Sequence, residues 1–272
     1  MSAGPRLRFT ILGCGSSGGV PRIGDDWGVC DPNEPKNRRL RCSALVERFE
    51  DGGEPTRVLI DTSPDLREQL LSANVDRLDG VLITHDHADQ THGIDDLRVV
   101  VIRHRRRLPI HMDAPTAETL MKKFGYCFEG SHGYPSILER APELVPGSGV
   151  SIDGPGGAIH ATPLLQIHGP IVSLGFRVGA LAYCNDVSAL PDETLGALQG
   201  LDVLIVDALR RTPHPSHANL KQALEWIDAI KPERAILTNM HVDMDYRTLL
   251  AELPDGVEPA YDGMRIEIPA AS

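Results

Sequence analysis

The sequence predicts an α/β fold, and two patterns support this prediction. Short apolar segments rich in Val, Ile and Leu alternate with segments in which apolar residues recur at helical spacing. Three of the apolar segments run directly into polar side chains, which is typical of α/β layers that build a site at the ends of their strands. The 272 residues contain no repeat, low-complexity linker or abrupt shift in composition, so we expect one domain over residues 1–272.

The apolar segments have the composition of β-strands. Each is bounded by Gly, Pro or Asp, residues that favour turns over continued strands. The predicted strands include residues 9–12, 58–60, 81–83, 172–178, 203–206 and 235–237.

Two further segments have the spacing and end signals of helices. Residues 64–73 follow Ser63, a residue type that caps helix N-termini, and carry leucines at 66, 70 and 71. Residues 219–230 carry apolar residues at 220, 223, 224 and 227, which lie on one face of a helix, and Pro232 ends the pattern.

Three predicted strands lead into polar residues that bind metal ions or move protons. The strand at 81–83 is followed by Thr84 and His85, and the strand at 203–206 by Asp207. The strand at 235–237 leads through residues 238–240 to His241. A single polar residue after a strand is ordinary, but three such strand ends predict one shared site.

Composition and charge exclude several classes of protein. The formal net charge of −11 argues against an extended nucleic-acid-binding surface, which requires clustered Lys and Arg. The five cysteines are odd in number and scattered, which fits reduced thiols better than a disulfide framework. No apolar run approaches the roughly 18 residues of a membrane span, and no secretory leader is evident. We therefore expect a cytoplasmic protein without a membrane segment.

The segment from Thr84 to Gly93 carries the densest set of candidate ligands. His85, His87 and Asp89 alternate along it directly after a predicted strand, so their side chains converge if the loop is extended or tightly curled. Imidazole nitrogen and carboxylate oxygen are ligands that Zn²⁺ and similar divalent ions accept. The pattern predicts a metal site.

His85-x-His87-x-Asp89 resembles the HxHxDH motif of the metallo-β-lactamase superfamily. The resemblance implies a four-layer αββα sandwich with metal ions at the sheet edge. It also implies that His168 is the third ligand of a first ion and that Asp186 bridges two ions. Asp61, after the strand at 58–60, is similar to the early aspartate that orients metal-binding histidines in this family.

Other segments resemble one branch of the superfamily, the PhnP-like phosphodiesterases, and more distantly tRNase Z. They are the glycine-rich residues 13–21, residues 38–43 and residues 261–264. Within the glycine-rich segment, Ser16 is a candidate for contact with a substrate phosphate, and Arg98 is a second candidate. The resemblance implies that His217 is the general acid that protonates the departing oxygen.

Two positions depart from the family pattern. Gln90 stands where the family has a histidine that binds the second metal, and His92 is a conceivable substitute. Asn239 stands where PhnP-like proteins and tRNase Z have a further ligand, and we expect His241 to supply it through an altered turn. Which of these residues completes the second site stays open.

The resulting prediction is a metal-dependent phosphodiesterase with two divalent ions, Zn²⁺ or Mn²⁺. The ions would activate a water, and His217 would protonate the leaving group. Because the sequence is acidic and lacks the long arm with which tRNase Z grips tRNA, we expect a small cyclic sugar or nucleotide phosphodiester as substrate. Dimers are common on this scaffold, so a homodimer is a further expectation. The alternatives are a lactone or thioester hydrolase and a nucleotide-binding protein with a degenerate second metal site.

Overall fold

The computed structural model describes residues 4–50 and 52–270, and these form two mixed β-sheets flanked by helices. The first sheet contains β1 (Arg6–Gly13), β2 (Ser43–Phe49), β3 (Thr56–Ile60), β4 (Gly80–Leu82), β5 (Leu108–His111), β6 (Leu138–Arg140) and β14 (Arg265–Pro269). Its spatial order is β14-β1-β2-β3-β4-β5-β6, and the strands from β3 to β6 are parallel.

The second sheet consists of the remaining strands. They are β7 (Val150–Ile152), β8 (Ile159–His168), β9 (Ile171–Val178), β10 (Leu181–Cys184), β11 (Val203–Asp207), β12 (Arg234–Thr238) and β13 (Val257–Pro259). Their spatial order is β13-β12-β11-β10-β9-β8-β7. The strands from β10 to β13 are parallel, so their carboxyl ends lie at one edge of the sheet.

Seven α-helices are formed by the described residues. They are α1 (Leu66–Ser72), α2 (Ala88–Thr91), α3 (Leu97–His104), α4 (Ala114–Glu129), α5 (Asp192–Ala197), α6 (Leu220–Ile230) and α7 (Tyr246–Glu252). No helix in this part of the chain combines the length and the apolar character that a membrane span requires.

The strands of the first sheet divide their side chains between two hydrophobic cores. Val58 and Ile60 of β3 pack in the core that also contains Leu174 and Phe176 of the second sheet. Leu59, between them, packs with residues of α1, α3 and α4 on the opposite face. This alternation follows from the two-residue period of a strand. With α6 and α7 against the second sheet, the layers run α/β/β/α, and the predicted fold class is confirmed.

The predicted elements match the structure closely, with small shifts at their ends. The six predicted strands lie within or overlap β1, β3, β4, β9, β11 and β12. Helix α6 begins after Asn219, whose side-chain oxygen accepts a hydrogen bond from the Gln222 N–H at 2.9 Å. Helix α1 begins two residues later than predicted, because Ser63 Oγ accepts from the Asp65 N–H in a turn that precedes the helix.

Candidate metal centre

The carboxyl ends of strands from both sheets meet at one edge of the sandwich. The residues at or just beyond these strand ends are Asp61 (β3), His85 (β4), His168 (β8), Asp186 (β10), Asp207 (β11) and Asn239 (β12). The two sheets are joined here by a backbone hydrogen bond of 2.9 Å from the Leu174 N–H to the Thr84 carbonyl. The shared site predicted from three strand ends therefore draws on twice as many.

Three imidazoles, of His85, His87 and His168, form what we call the three-histidine cluster. Their ring centroids lie 4.5 to 5.0 Å apart, and His87 Nδ1 lies 3.3 Å from His168 Nε2. His85 Nε2 is buried without a hydrogen-bond partner. Donor atoms this close, one of them buried and unpaired, fit a divalent metal ion.

The protonation states of the cluster suit metal binding. Burial, together with the neighbouring imidazoles, holds the pKa of His85 well below its usual value. Burial likewise lowers the pKa of His168 to about 4. Both imidazoles are therefore neutral at pH 7, the form in which histidine binds a metal.

His85 is oriented by hydrogen bonds that connect it through Thr84 to Asp61. Thr84 Oγ lies 3.0 Å from His85 Nδ1 and 2.9 Å from Asp61 Oδ2. With Nδ1 engaged by the Thr84 hydroxyl, Nε2 is the ring nitrogen of His85 that is left to bind an ion. Burial outweighs the hydrogen bonds from Thr84 and raises the pKa of Asp61 to about 8. Asp61 thus acts on His85 through Thr84.

His168 is oriented in the same manner by a backbone carbonyl. Its Nδ1 donates to the Ser216 carbonyl at 2.6 Å, so Nε2 faces the cluster. Gly169 permits this contact, because its φ is +60° and a Cβ there would lie 2.8 Å from Ser216 Cβ.

Asp186 lies beside the three-histidine cluster and is almost fully buried. Its Oδ1 lies 4.0 Å from His168 Nε2 and 3.7 Å from His217 Nδ1. Its Oδ2 accepts hydrogen bonds from Gln90 Nε2 at 3.0 Å and from the Asn185 amide. Asp186 is therefore placed to add a carboxylate oxygen to the ligand set.

His217 is paired with a carboxylate that the sequence did not assign to any role. His217 Nδ1 lies 2.8 Å from Asp207 Oδ2, and Asp207 is fully buried. Burial lowers the pKa of His217, but the hydrogen bond to Asp207 and the charges of Asp207, Asp186 and Asp89 outweigh it and raise the pKa to about 9. The His217 imidazole is therefore protonated at neutral pH, beside the cluster.

Three strand-end residues have the left-handed backbone conformation that is uncommon outside glycine. Their φ values are +63° for Asp61, +54° for Asp186 and +61° for Asn239. Asp and Asn tolerate this conformation better than most residues, and such residues concentrate at functional sites. The sharp turn lets each side chain point along the sheet edge instead of continuing the strand.

Other predicted site residues lie outside the three-histidine cluster. His241 accepts a hydrogen bond from Arg22 at Nε2 and donates from Nδ1 to Asp243 at 3.0 Å, so the structure does not bring it to the site. Asn239 lies there instead, with Nδ2 3.1 Å from His217 Nδ1 and 3.4 Å from Asp186 Oδ1.

Asp89 and Ser16 lie near the site, but neither residue belongs to the three-histidine cluster. Asp89 is half-buried on α2. Burial raises the pKa of Asp186, and the charge of Asp89 raises it further. Ser16 is buried, and its backbone N–H donates to the carbonyl of Met240, next to Asn239.

Arg98 and His92 have other partners. Arg98 forms an ion pair with Asp95, one turn away, and lines a cavity of about 600 Å³ with Tyr126 and Tyr134. The ring of His92 packs edge-on against Phe124 at 5.6 Å.

The sequence placed Asp207 and Thr84 at the predicted strand-end site without giving either residue an individual role. Asp207 directly follows the predicted strand at 203–206, and this position was the available signal for it. Thr84 precedes the first histidine of the motif, and no sequence pattern indicated that its hydroxyl connects His85 to Asp61.

An α/β/β/α sandwich with histidine and aspartate side chains gathered at its sheet edge defines a divalent metal-binding protein of the metallo-hydrolase type. The Beta-lactamase superfamily domain model matches residues 56–240. The chain therefore belongs to the metallo-β-lactamase superfamily.

Individual relatives agree with this assignment. A crystal structure described as a new diphosphatase from the PhnP family is 34% identical, covers 97% of each chain and has a TM-score of 0.86. The short form of human tRNase Z has a TM-score of 0.63 at 16% identity, covers 95% of this chain and 98% of its own, and is similar in fold alone.

A curated relative carries a different name. The octanoyltransferase of Porphyromonas gingivalis (strain ATCC BAA-308 / W83) is 32% identical over 261 residues. The match covers 95% of this chain but only 51% of that protein, so the chain spans about half the length of this relative.

Proposed function

We propose that the protein is a metal-dependent phosphodiesterase that hydrolyses a small phosphodiester to a phosphomonoester. The substrate would be a cyclic sugar phosphate or a cyclic or short nucleotide. The observation that carries this proposal is the contact of 2.8 Å between His217 and the buried Asp207, beside the three-histidine cluster. The similarity to a PhnP-family diphosphatase at 34% identity supports it.

The residues present fit a Zn²⁺ or Mn²⁺ ion. His85, His87 and His168 would hold it through imidazole nitrogens, and Asp186 through a carboxylate oxygen. A divalent ion bound there supplies Lewis-acid chemistry, which activates water near neutral pH and offsets the charge of a phosphate. Of the two ions that the sequence predicts, this is the first.

His217 would supply the proton that the leaving oxygen needs. Its Nδ1 is engaged by Asp207, so Nε2 is the ring nitrogen left to donate to the substrate. Asp207 holds the imidazole in this orientation and favours its protonated form. A proton from His217 would neutralise the alkoxide as the phosphorus–oxygen bond breaks, and the neutral imidazole would then recover a proton from solvent.

The charge of the chain supports a small substrate, and two residues are candidates for contact with its phosphate. The net charge of −11 disfavours a long polyanion. Ser16, buried next to the end of β12, stays our candidate for phosphate contact. Arg98 is a weaker candidate, because Asp95 already pairs with its guanidinium.

A panel of substrates tests this proposal. Protein reconstituted with Zn²⁺ or Mn²⁺ is offered bis(p-nitrophenyl) phosphate, cyclic nucleotides and a cyclic sugar phosphate, and the monoester product is quantified. We expect turnover that requires the ion and falls in His217→Ala. Folded, metal-loaded protein that binds nucleotides without hydrolysing any of these compounds would instead support the nucleotide-binding alternative.

The second candidate is a thioester or lactone hydrolase, and the relative named octanoyltransferase favours it. Octanoyl transfer is acyl chemistry, and a divalent ion polarises a carbonyl as well as a phosphoryl oxygen. An octanoyl thioester and a lactone in the same panel separate the two candidates. Loss of His217 should matter less for a thioester, because a thiolate leaves without being protonated.

A further inference from the structure

We infer that this chain binds one divalent ion, and that the amides of Gln90 and Asn239 hydrogen-bond Asp186 where a second ion would otherwise interact with it. The inference rests on the metal centre of the proposed function but not on its substrate. It changes the expected ligand set, since the sequence predicts two ions.

The first argument is the number of available donor atoms. In residues 4–50 and 52–270, two groups of side chains come close enough to hold an ion. The first group is His85, His87 and His168, and the second is His168, Asp186 and His217. Both groups use His168, whose Nδ1 is taken by the Ser216 carbonyl, so that only Nε2 is free. One nitrogen lone pair binds one ion, so the two groups describe a single site.

The second argument concerns Asp186, the residue expected to bridge two ions. Its Oδ2 already accepts hydrogen bonds from the side-chain amides of Gln90 and Asn185. A carboxylate oxygen accepts about two such bonds, so Oδ2 has no free lone pair for a second ion. Oδ1 faces His168 and is the atom available to the first ion.

The third argument concerns the residues that would complete a second site. Asn239 directs its amide nitrogen toward Asp186 Oδ1 at 3.4 Å and thus presents a donor where a ligand would present an acceptor. Gln90 Oε1 is buried without a partner, but a neutral amide oxygen is a poor ligand for Zn²⁺ compared with imidazole. The His241 ring is held by Arg22 and Asp243.

The backbone explains why His241 does not reach the site. Asn239 turns the chain through a left-handed conformation, with a φ of +61°. The Met240 N–H then donates to the Cys14 carbonyl at 2.8 Å, and the His241 N–H donates to the Leu209 carbonyl at 2.9 Å. With both residues fixed by hydrogen bonds to separate segments, an altered turn that carries His241 to Asp186 would break them.

The test is the number of ions per chain. Protein purified without chelator, and protein incubated with excess Zn²⁺ or Mn²⁺ and then desalted, is examined by native mass spectrometry and elemental analysis. We expect one ion per chain in the wild type and in His241→Ala. In the double variant Gln90→His and Asn239→His, imidazoles replace both amides, and we expect two ions.

Gln199→His, an added imidazole at an exposed position, is the matched control and should stay at one ion. Two ions in the wild type, falling to one in His241→Ala, would overturn the inference. If the double variant fails to fold, as judged by circular dichroism, the wild type and His241→Ala still decide it. Two ions with phosphodiester turnover would contradict this inference alone, whereas one ion without turnover would contradict the proposed function alone.

Discussion

His217 Nδ1 lies 2.8 Å from Asp207 Oδ2, and this contact joins the end of β11 to the loop that precedes α6. Asp207 also accepts a hydrogen bond of 3.1 Å from the Val187 N–H, next to Asp186. The pair therefore fixes His217 against the same strand end that carries the carboxylate of the metal centre. An imidazole with a raised pKa is thus held in place beside a site that fits a divalent ion.

Replacement of His217 tests its role as general acid. We expect His217→Ala to lower kcat for an alkyl phosphodiester by about 10²- to 10⁴-fold, the usual contribution of a positioned acid. For bis(p-nitrophenyl) phosphate the loss should be smaller, because p-nitrophenolate leaves without a proton. Steady-state rates with both substrates measure this difference, and the metal content serves as the control. An equal loss for both leaving groups would contradict the assignment.

Removal of the charge on Asp207 should change the pH dependence of the reaction. The acid form of His217 persists up to its pKa of about 9, so the rate should fall as the pH rises through that value. In Asp207→Asn the pKa of His217 loses the contribution that raises it. We expect the descending limb of the kcat profile to move to lower pH by ~1 unit or more. An unmoved limb would show that another group controls it.

Loss of the ion should destabilise the protein as well as inactivate it. A ligand that binds only the folded state at 1,000 times its dissociation constant adds about 4 kcal/mol to the free energy of unfolding. We expect EDTA to lower the Tm and abolish turnover, and added Zn²⁺ or Mn²⁺ to restore both. His85→Ala should lose the response to the ion, while His160→Ala, at an exposed position on β8, should keep it. A Tm that is insensitive to EDTA would contradict the metal centre.

Asp245 supports the fold away from the metal centre. It caps α7 by accepting hydrogen bonds from the N–H and hydroxyl of Thr248, and its other oxygen accepts from Asn37 and from the N–H of Asp31. We expect Asp245→Ala to cost about 2 to 4 kcal/mol of stability, because the buried Asn37 amide and the part-buried donors of Thr248 and Asp31 lose their acceptor. Asp113, which caps α4 with one hydrogen bond, is the matched control, and its alanine variant should cost about 1 kcal/mol.

The cost of losing Asp245 should depend on pH. Burial raises the pKa of Asp245, but its hydrogen bonds outweigh this effect and lower the pKa to about 2. A depressed pKa contributes stability above the unfolded value of about 3.9, and this contribution is lost as the pH falls toward 2. Urea unfolding at pH 7 and pH 3 should therefore show a larger difference between wild type and Asp245→Ala at pH 7. An equal difference at both pH values would contradict the ionised role.

Local pattern was sufficient to predict the layers and the metal motif. The strand at 58–60 and the helix at 219–230 have the periodicities that burial on one face requires, and both are present in the structure. His85 and His87 could be predicted from their spacing, whereas His168 required the family resemblance. In the structure all three come together.

The remaining parts of the site depend on contacts between segments distant in sequence. The pairing of Asp207 with His217 requires the loop before α6 to fold back over β11. The direction of His241 depends on hydrogen bonds from residues 240–241 to Cys14 and Leu209. No local spacing encodes either arrangement, so the sequence placed Asp207 at the shared strand ends without pairing it with His217. For the same reason it predicted as a ligand His241, which the structure does not bring to the site.

The most direct test of the account follows phosphodiester cleavage by ³¹P NMR. Metal-loaded protein is incubated with a cyclic nucleotide, a cyclic sugar phosphate and bis(p-nitrophenyl) phosphate, with an octanoyl thioester monitored in parallel. The account predicts that a phosphomonoester accumulates with the wild type, and not after removal of the ion. If the loaded, folded protein leaves all three phosphodiesters intact while it cleaves the thioester, the account is wrong.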